Sequence, residues 1–222
     1  PGQAADMNQM DHGPFATWTI AGDTITHKGI VIKVDSDLPA AMCFDTDLLR
    51  MSAGWTNGFL RWYPERDGLE KNPTPRGAAL FSNDIGPGWS VSGSFKDPRP
   101  FPYGPLPRDW ARYRGLYLNG NRVVLSYSVS ECQILESPDF RRRDDSAVFS
   151  RTFNLSESKQ ALSLRVCRVS REAGRLETKT IAAGKSLIVA ANPNSLRFVG
   201  ANGLPAAARW DVQNGHLILG LP

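Results

Sequence analysis

From Tyr113 onward, apolar and polar residues alternate with a period of two, and Asn-Gly steps cut the alternation into short runs. A period of two is the signature of a strand with one buried face, because successive side chains point to opposite sides. A helix repeats near 3.6 and cannot be built on this pattern. The clearest unit joins Leu116-Tyr117-Leu118 to Arg122–Val129 through Asn119-Gly120-Asn121. Asn-Gly supplies the positive φ angles that a tight hairpin requires. In the second strand Val123, Leu125, Tyr127 and Val129 share one face; Ser126 and Ser128 point the other way, toward water.

The same pattern predicts strands over Gln133–Glu136, Ala147–Leu155, Ala161–Val169, Leu176–Ile181, Ser186–Ala191, Ser195–Val199, Ala208–Val212 and His216–Leu221. Before Tyr113 the strand signals are Thr24–Val34, with Ile30, Ile32 and Val34 on one face, then Ala40–Phe44 and the aromatic run Gly58–Tyr63. The one helix predicted is short, near Arg108–Tyr113, with Pro107 at its start. The reading is a single all-β domain over residues 1–222, a two-layer antiparallel β-sandwich of jelly-roll or super-sandwich type. A regular meander occupies about 113–222, and a long Pro/Gly/aromatic loop insert about 54–113. A chain of 222 residues is long enough for a sizeable core, and no stretch approaches the length of a membrane-spanning helix.

Charge and cysteine usage narrow the function classes. The basic excess, net +4, is carried mainly by 19 arginines against 7 lysines. Arginine suits bidentate recognition of carboxylate, phosphate or sulfate. The densest run, Arg141-Arg142-Arg143, is followed at once by Asp144-Asp145 and makes a poor nucleic-acid arm, so no nucleic-acid partner is expected. Cys43, Cys132 and Cys167 form neither CxxC nor CxxCH, which excludes covalent haem attachment within this chain. Cys132 and Cys167 lie in neighbouring strand-like runs and are the expected disulfide pair, with three buried thiols as the alternative. The chain starts Pro1-Gly2-Gln3 and reads as a processed N-terminus.

The insert is where binding residues are sought. It holds Trp55, Trp62, Trp89 and Trp110, with Tyr63, Tyr103 and Tyr113 and interleaved arginines. Aromatic faces beside charged edges are the chemistry of a sugar site, so Trp55, Trp62, Trp89, Tyr103, Arg108, Asp109, Trp110 and Tyr113 are the candidate ligand-binding residues. The competing reading makes these rings a small core under the loop, braced by the prolines at 98, 100, 102, 105 and 107. Asp45 and Asp47, with Asp35 and Asp37 upstream, could ligate calcium, though no complete calcium loop follows. Asp97, Asp109, Glu131 and Glu136 are the acids that a glycoside hydrolase would draw on. Tyr113 with Arg112 or Arg114 would serve a polysaccharide lyase. His12, His27 and His216 show no metal-ligand spacing.

Five strings carry a resemblance: MDHGPF (10–15), KGIVIKV (28–34), FDTDLLRMSAGWTNGFL (44–60), GPGWSVSGSFKDPRP (86–100) and GPLPRDWARYRGLYLNGNRVVLSY (104–127). They resemble an uncharacterised domain of large secreted proteins from planctomycete-type bacteria. That domain is often followed by a propeller resembling sugar dehydrogenases and by a c-type haem domain. The resemblance implies a secreted or periplasmic location and a link to electron transfer or carbohydrate breakdown; it supplies no catalytic residues. Any haem would sit on another segment or on a c-type haem partner. The expectation is therefore a non-catalytic module that binds a glycan or docks a partner domain. The alternatives are a carbohydrate-active enzyme and a structural subunit of an electron-transfer complex.

Overall fold

A computed structural model describes residues 6–35, 39–63, 71–143, 146–169, 176–182, 185–192 and 195–222. Among them there is no helix. The strands in chain order are β1 (Phe15–Ala21), β2 (Ile25–Asp35), β3 (Ala40–Asp45), β4 (Arg50–Thr56), β5 (Leu60–Arg61), β6 (Thr74–Pro75), β7 (Ala79–Ser82), β8 (Trp89–Val91) and β9 (Ala111–Asn119). They continue as β10 (Arg122–Val129), β11 (Cys132–Arg143), β12 (Ser146–Leu155), β13 (Leu162–Arg168), β14 (Leu176–Ala182), β15 (Lys185–Asn192), β16 (Ser195–Ala201), β17 (Arg209–Gln213) and β18 (His216–Leu221). The predicted helix near Arg108–Tyr113 is instead a turn that enters β9 at Ala111. Tyr113 must face inward beside Phe44, and only a strand presents it there while sending Arg112 and Arg114 outward.

All pairings are antiparallel. The first sheet has the order β1-β2-β3-β4-β7, the second β12-β11-β10-β9 and the third β17-β18-β13-β8. β14-β15-β16 and β5-β6 form two smaller sheets. The architecture is that of packed antiparallel sheets, consistent with a β-sandwich. The main core lies where the first three sheets meet: Ile32, Met42 and Phe44 from the first, Leu125, Tyr127 and Ile134 from the second, Trp89, Leu164 and Leu219 from the third. Each such side chain removed from water contributes about 1.5–3 kcal/mol.

β3 explains why the first sheet is covered on both sides. Its sequence Ala-Ala-Met-Cys-Phe lacks alternation and every residue is buried. Met42 and Phe44 enter the main core. Ala41 and Cys43 enter a second core with Val31, Trp55, Leu60 and Trp62 on the opposite face. An unbroken apolar run is what a strand buried on both faces requires.

The insert is more ordered than its composition implies. β7 closes one edge of the first sheet by pairing with β4, and β8 closes one edge of the third by pairing with β13. The three cysteines form no disulfide. Cys132 sits in the main core and Cys167 in a small cluster with Val169 and Leu217, so the expected pair is divided between two packing regions.

Candidate functional site

The site begins with the turn that joins β3 to β4. Asp45 Oδ1 accepts the backbone N–H groups of Asp47 at 3.1 Å and Leu48 at 3.2 Å, a turn held by an aspartate side chain. Arg50 Nε donates to Asp45 Oδ2 at 3.0 Å, and the rest of the guanidinium donates to the carbonyls of Asn83 and Ile25. Arg50 is 1% exposed, so this is a buried ion pair with its hydrogen bonds largely satisfied. The turn leaves the next carboxylate, Asp47, 8% exposed and 3.3 Å from the amine of Lys28.

Part of the insert closes over this turn. Leu106 N–H donates to the Asp47 carbonyl at 3.0 Å. Arg99 grips both oxygens of Asp97 and donates to the Gly104 carbonyl, which fixes the loop carrying Tyr103. The Asp97 carboxyl is held below its usual range by the hydrogen bond from Arg99, and the Arg99 guanidinium is correspondingly raised. The Tyr103 ring, 68% exposed, stands edge-on to His27 with centroids 5.4 Å apart. Between these parts is a pocket of about 230 Å³ walled by His27, Ile85, Arg99 and Tyr103, with Asp45 and Asp47 at its floor. A larger open groove of about 660 Å³ runs past Asp11, Lys33, Phe59, Arg122 and Asp139. There the amine of Lys33 lies over the Phe59 ring at 5.1 Å and 3.6 Å from Asp11.

Of the predicted ligand residues, the structure brings Tyr103 to the pocket and separates it from most of the others. Trp55, Trp62 and Trp89 are core residues, at most 3% exposed. No ring face of theirs is open to a ligand, because β4 and β8 are structural strands and Trp62 packs under Trp18 and His12. Trp110 is half-buried and its indole N–H donates to the Trp89 carbonyl at 3.1 Å. Tyr113 is half-buried beside Phe44, and burial raises its hydroxyl pKa. Arg108 and Asp109 are exposed on the turn before β9.

The alternatives meet the same geometry. Asp45 is turned to Arg50, Asp37 lies outside the described residues, and no group of three metal-ligand side chains occurs among those described. Glu136 is wholly buried. It accepts from Tyr127 at 2.6 Å and from Arg151 at 2.6 Å, and Trp89 donates to the Tyr127 hydroxyl at 3.1 Å. A carboxylate so enclosed cannot reach a glycosidic oxygen. Glu131 is exposed and 3.6 Å from Lys159. Arg112 and Arg114 flank Tyr113 but are exposed where it turns inward, so they cannot share its substrate.

His27 lines the pocket and the neighbouring Lys28 pairs with Asp47, and neither stands out in the sequence. On an isolated strand a lone histidine carries no signal, and only closure of the insert over β2 gives it a partner. Residues 42–136, from β3 into β11, match the family model described as a domain of unknown function (DUF6797). This stretch is therefore similar to an uncharacterised domain. No curated protein and no solved structure matches the chain.

Proposed function

We propose that the chain is a non-catalytic binding module that takes one sugar ring of a glycan in the pocket beneath Tyr103. The observation that carries the reading is the exposed Tyr103 ring, edge-on to His27, at the mouth of a pocket whose floor holds the carboxylate of Asp47. An aromatic wall suits the C–H face of a pyranose, and a carboxylate accepts two neighbouring hydroxyls. At about 230 Å³ the pocket is smaller than a typical small-molecule site and has room for about one ring. The resemblance of the five strings to a domain of exported proteins supports placing this binding in a secreted or periplasmic protein linked to carbohydrate breakdown or a haem partner.

The test is a titration of wild type, Tyr103→Ala and His27→Ala against a panel of neutral oligosaccharides. Both residues are exposed, so both variants are expected to fold with wild-type thermal stability and lose at least about tenfold in affinity, the equivalent of one aromatic contact. Equal binding by all three proteins, or no binding to any member of the panel, overturns the proposal.

A further inference from the structure

The second sheet has one buried and one exposed face, and the exposed face near its β9 edge has a distinct chemistry. β9 is the last strand of that sheet. Arg112, at one end of β9, pairs with Ser128, and Arg122, at the other end, pairs with Asn119. Arg114 is the extra residue where the β9–β10 register shifts between Ser126 and Tyr127. Arg112, Arg114 and Arg122 are all exposed and none forms a salt bridge among the described residues. Between the two charged ends stands Tyr117, 63% exposed and paired with Val124. From Arg112 to Asn119 the strand extends for about 23 Å at roughly 3.3 Å per residue.

Two of the acids near this face are already engaged. Asp139 is 3.6 Å from Arg141 and Glu131 is 3.6 Å from Lys159. The strip along β9 is therefore a positive rail with an aromatic step at its middle. The remaining outward positions of the sheet mix polar side chains, among them Ser126, Ser137, Thr152 and Asn154, with the apolar Val124, Leu135 and Val148. Leu135 stands between Ser126 and Asn154, and Val148 is opposite Arg141, so these apolar side chains are interleaved with polar ones and do not make the apolar centre of a stable protein–protein interface.

We infer that this strip binds a linear polyanion, an acidic polysaccharide bearing carboxylate or sulfate groups, lying along β9. Guanidinium groups take such anions through two parallel hydrogen bonds, and the hydroxyls and amides beyond them match sugar hydroxyls. The site is independent of the pocket beneath Tyr103. It asks for charge along a chain, whereas the pocket asks for one ring.

The experiment titrates the whole chain with polygalacturonate, dextran sulfate, neutral dextran and poly-L-glutamate at several salt concentrations. The proteins are wild type, the triple variant R112S/R114S/R122S, Tyr117→Ala, and R61S/K96S/R209S, which removes the same charge from exposed positions off the strip. The strip variant is expected to lose at least about tenfold in affinity for the acidic polysaccharides. Its plot of log affinity against log salt should also be shallower by about two units, as expected when three fewer cations displace counterions. Tyr117→Ala should lose affinity without changing that slope. Equal losses in the strip variant and the charge-matched control would show that net charge alone is responsible and overturn the proposal. Tighter binding of poly-L-glutamate than of polygalacturonate overturns it in favour of an acidic protein. Binding of neither acidic polymer above neutral dextran overturns it also, leaving the arginines to guard an open sheet edge.

Discussion

Replacing Asp45 by Asn tests the element on which the candidate pocket rests. The substitution keeps the shape and the Oδ1 that receives the Asp47 and Leu48 amides. It removes the negative charge 3.0 Å from Arg50 Nε and sets an amide beside the guanidinium. Arg50 is 1% exposed and cannot turn to water without dropping the carbonyls of Asn83 and Ile25. Removing one partner of such a pair leaves an uncompensated buried charge and costs about 3–5 kcal/mol. For a chain of 222 residues a loss of about 4 kcal/mol lowers the melting temperature by roughly 8–16 °C. Urea unfolding followed by the fluorescence of the buried Trp55 and Trp89 measures it, with Arg50→Met and the double variant completing a cycle. The double variant should be less destabilised than the sum of the singles by at least about 1 kcal/mol. A loss below about 1 kcal/mol in Asp45→Asn, or strict additivity, would refute the assignment of the turn's stability to this pair.

Other outcomes follow from the buried groups. Tyr127→Phe leaves the Trp89 indole N–H and Glu136 Oε2 each short of a partner, and should cost about 2–5 kcal/mol in urea unfolding; a change under about 1 kcal/mol would sink the network reading. His216 is held below its ordinary pKa of 6.5 by burial and then by Arg165, against the opposing pull of Asp84 and the Asn214 carbonyl. The unfolded chain therefore takes up that proton first, so this contribution to stability is present above about pH 6.5 and is lost as pH falls below it. Melting curves of wild type should fall faster between pH 7 and pH 5 than those of His216→Gln, and parallel curves exclude the linkage. Burial pushes the Cys43 thiol up to about 11, so at pH 8 it should react with a thiol reagent only on unfolding; labelling in native buffer at the rate of a free thiol contradicts this.

Much of the fold was legible because its strands declare themselves by period. The face Val123, Leu125, Tyr127 and Val129 is buried as the alternation requires, and Ile30, Ile32 and Val34 pack together. What escaped were strands whose sequences carry no alternation or whose partners are distant. β4 reads Arg-Met-Ser-Ala-Gly-Trp-Thr, and Gly54 lies where the Phe81 ring of β7 leaves no room for a Cβ. A glycine there looks like a break in the strand, yet it is what lets β7 approach. β8 is three residues long and gains its identity only from pairing with β13, seventy residues later. The predicted face Leu162, Leu164 and Val166 is interrupted at the shift between Arg165 and Cys167, which no local pattern marks.

The aromatic count of the insert marks a segment whose rings the structure divides between core and surface. Tryptophan is favoured in a core for its area and at a binding surface for its polar handle, and composition cannot separate the two. The deciding fact is whether the segment bearing the ring pairs with a sheet. Trp55 lies in β4 and Trp89 in β8, so their rings are drawn into cores, and the Trp89 N–H serves the buried Tyr127–Glu136 chain. Residues 99–109 pair with no strand, and there the rings of Phe101 and Tyr103 stay in water, at 71% and 68% exposure. The prolines at 98, 100, 102, 105 and 107 acquire their meaning from this division. They stiffen the stretch that has no ladder to hold it, and with Arg99 bridging Asp97 to Gly104 they hold Tyr103 opposite His27. A ring presented in advance loses little conformational freedom on binding, which is the physical reason to seek recognition at this loop tip and not among the buried tryptophans.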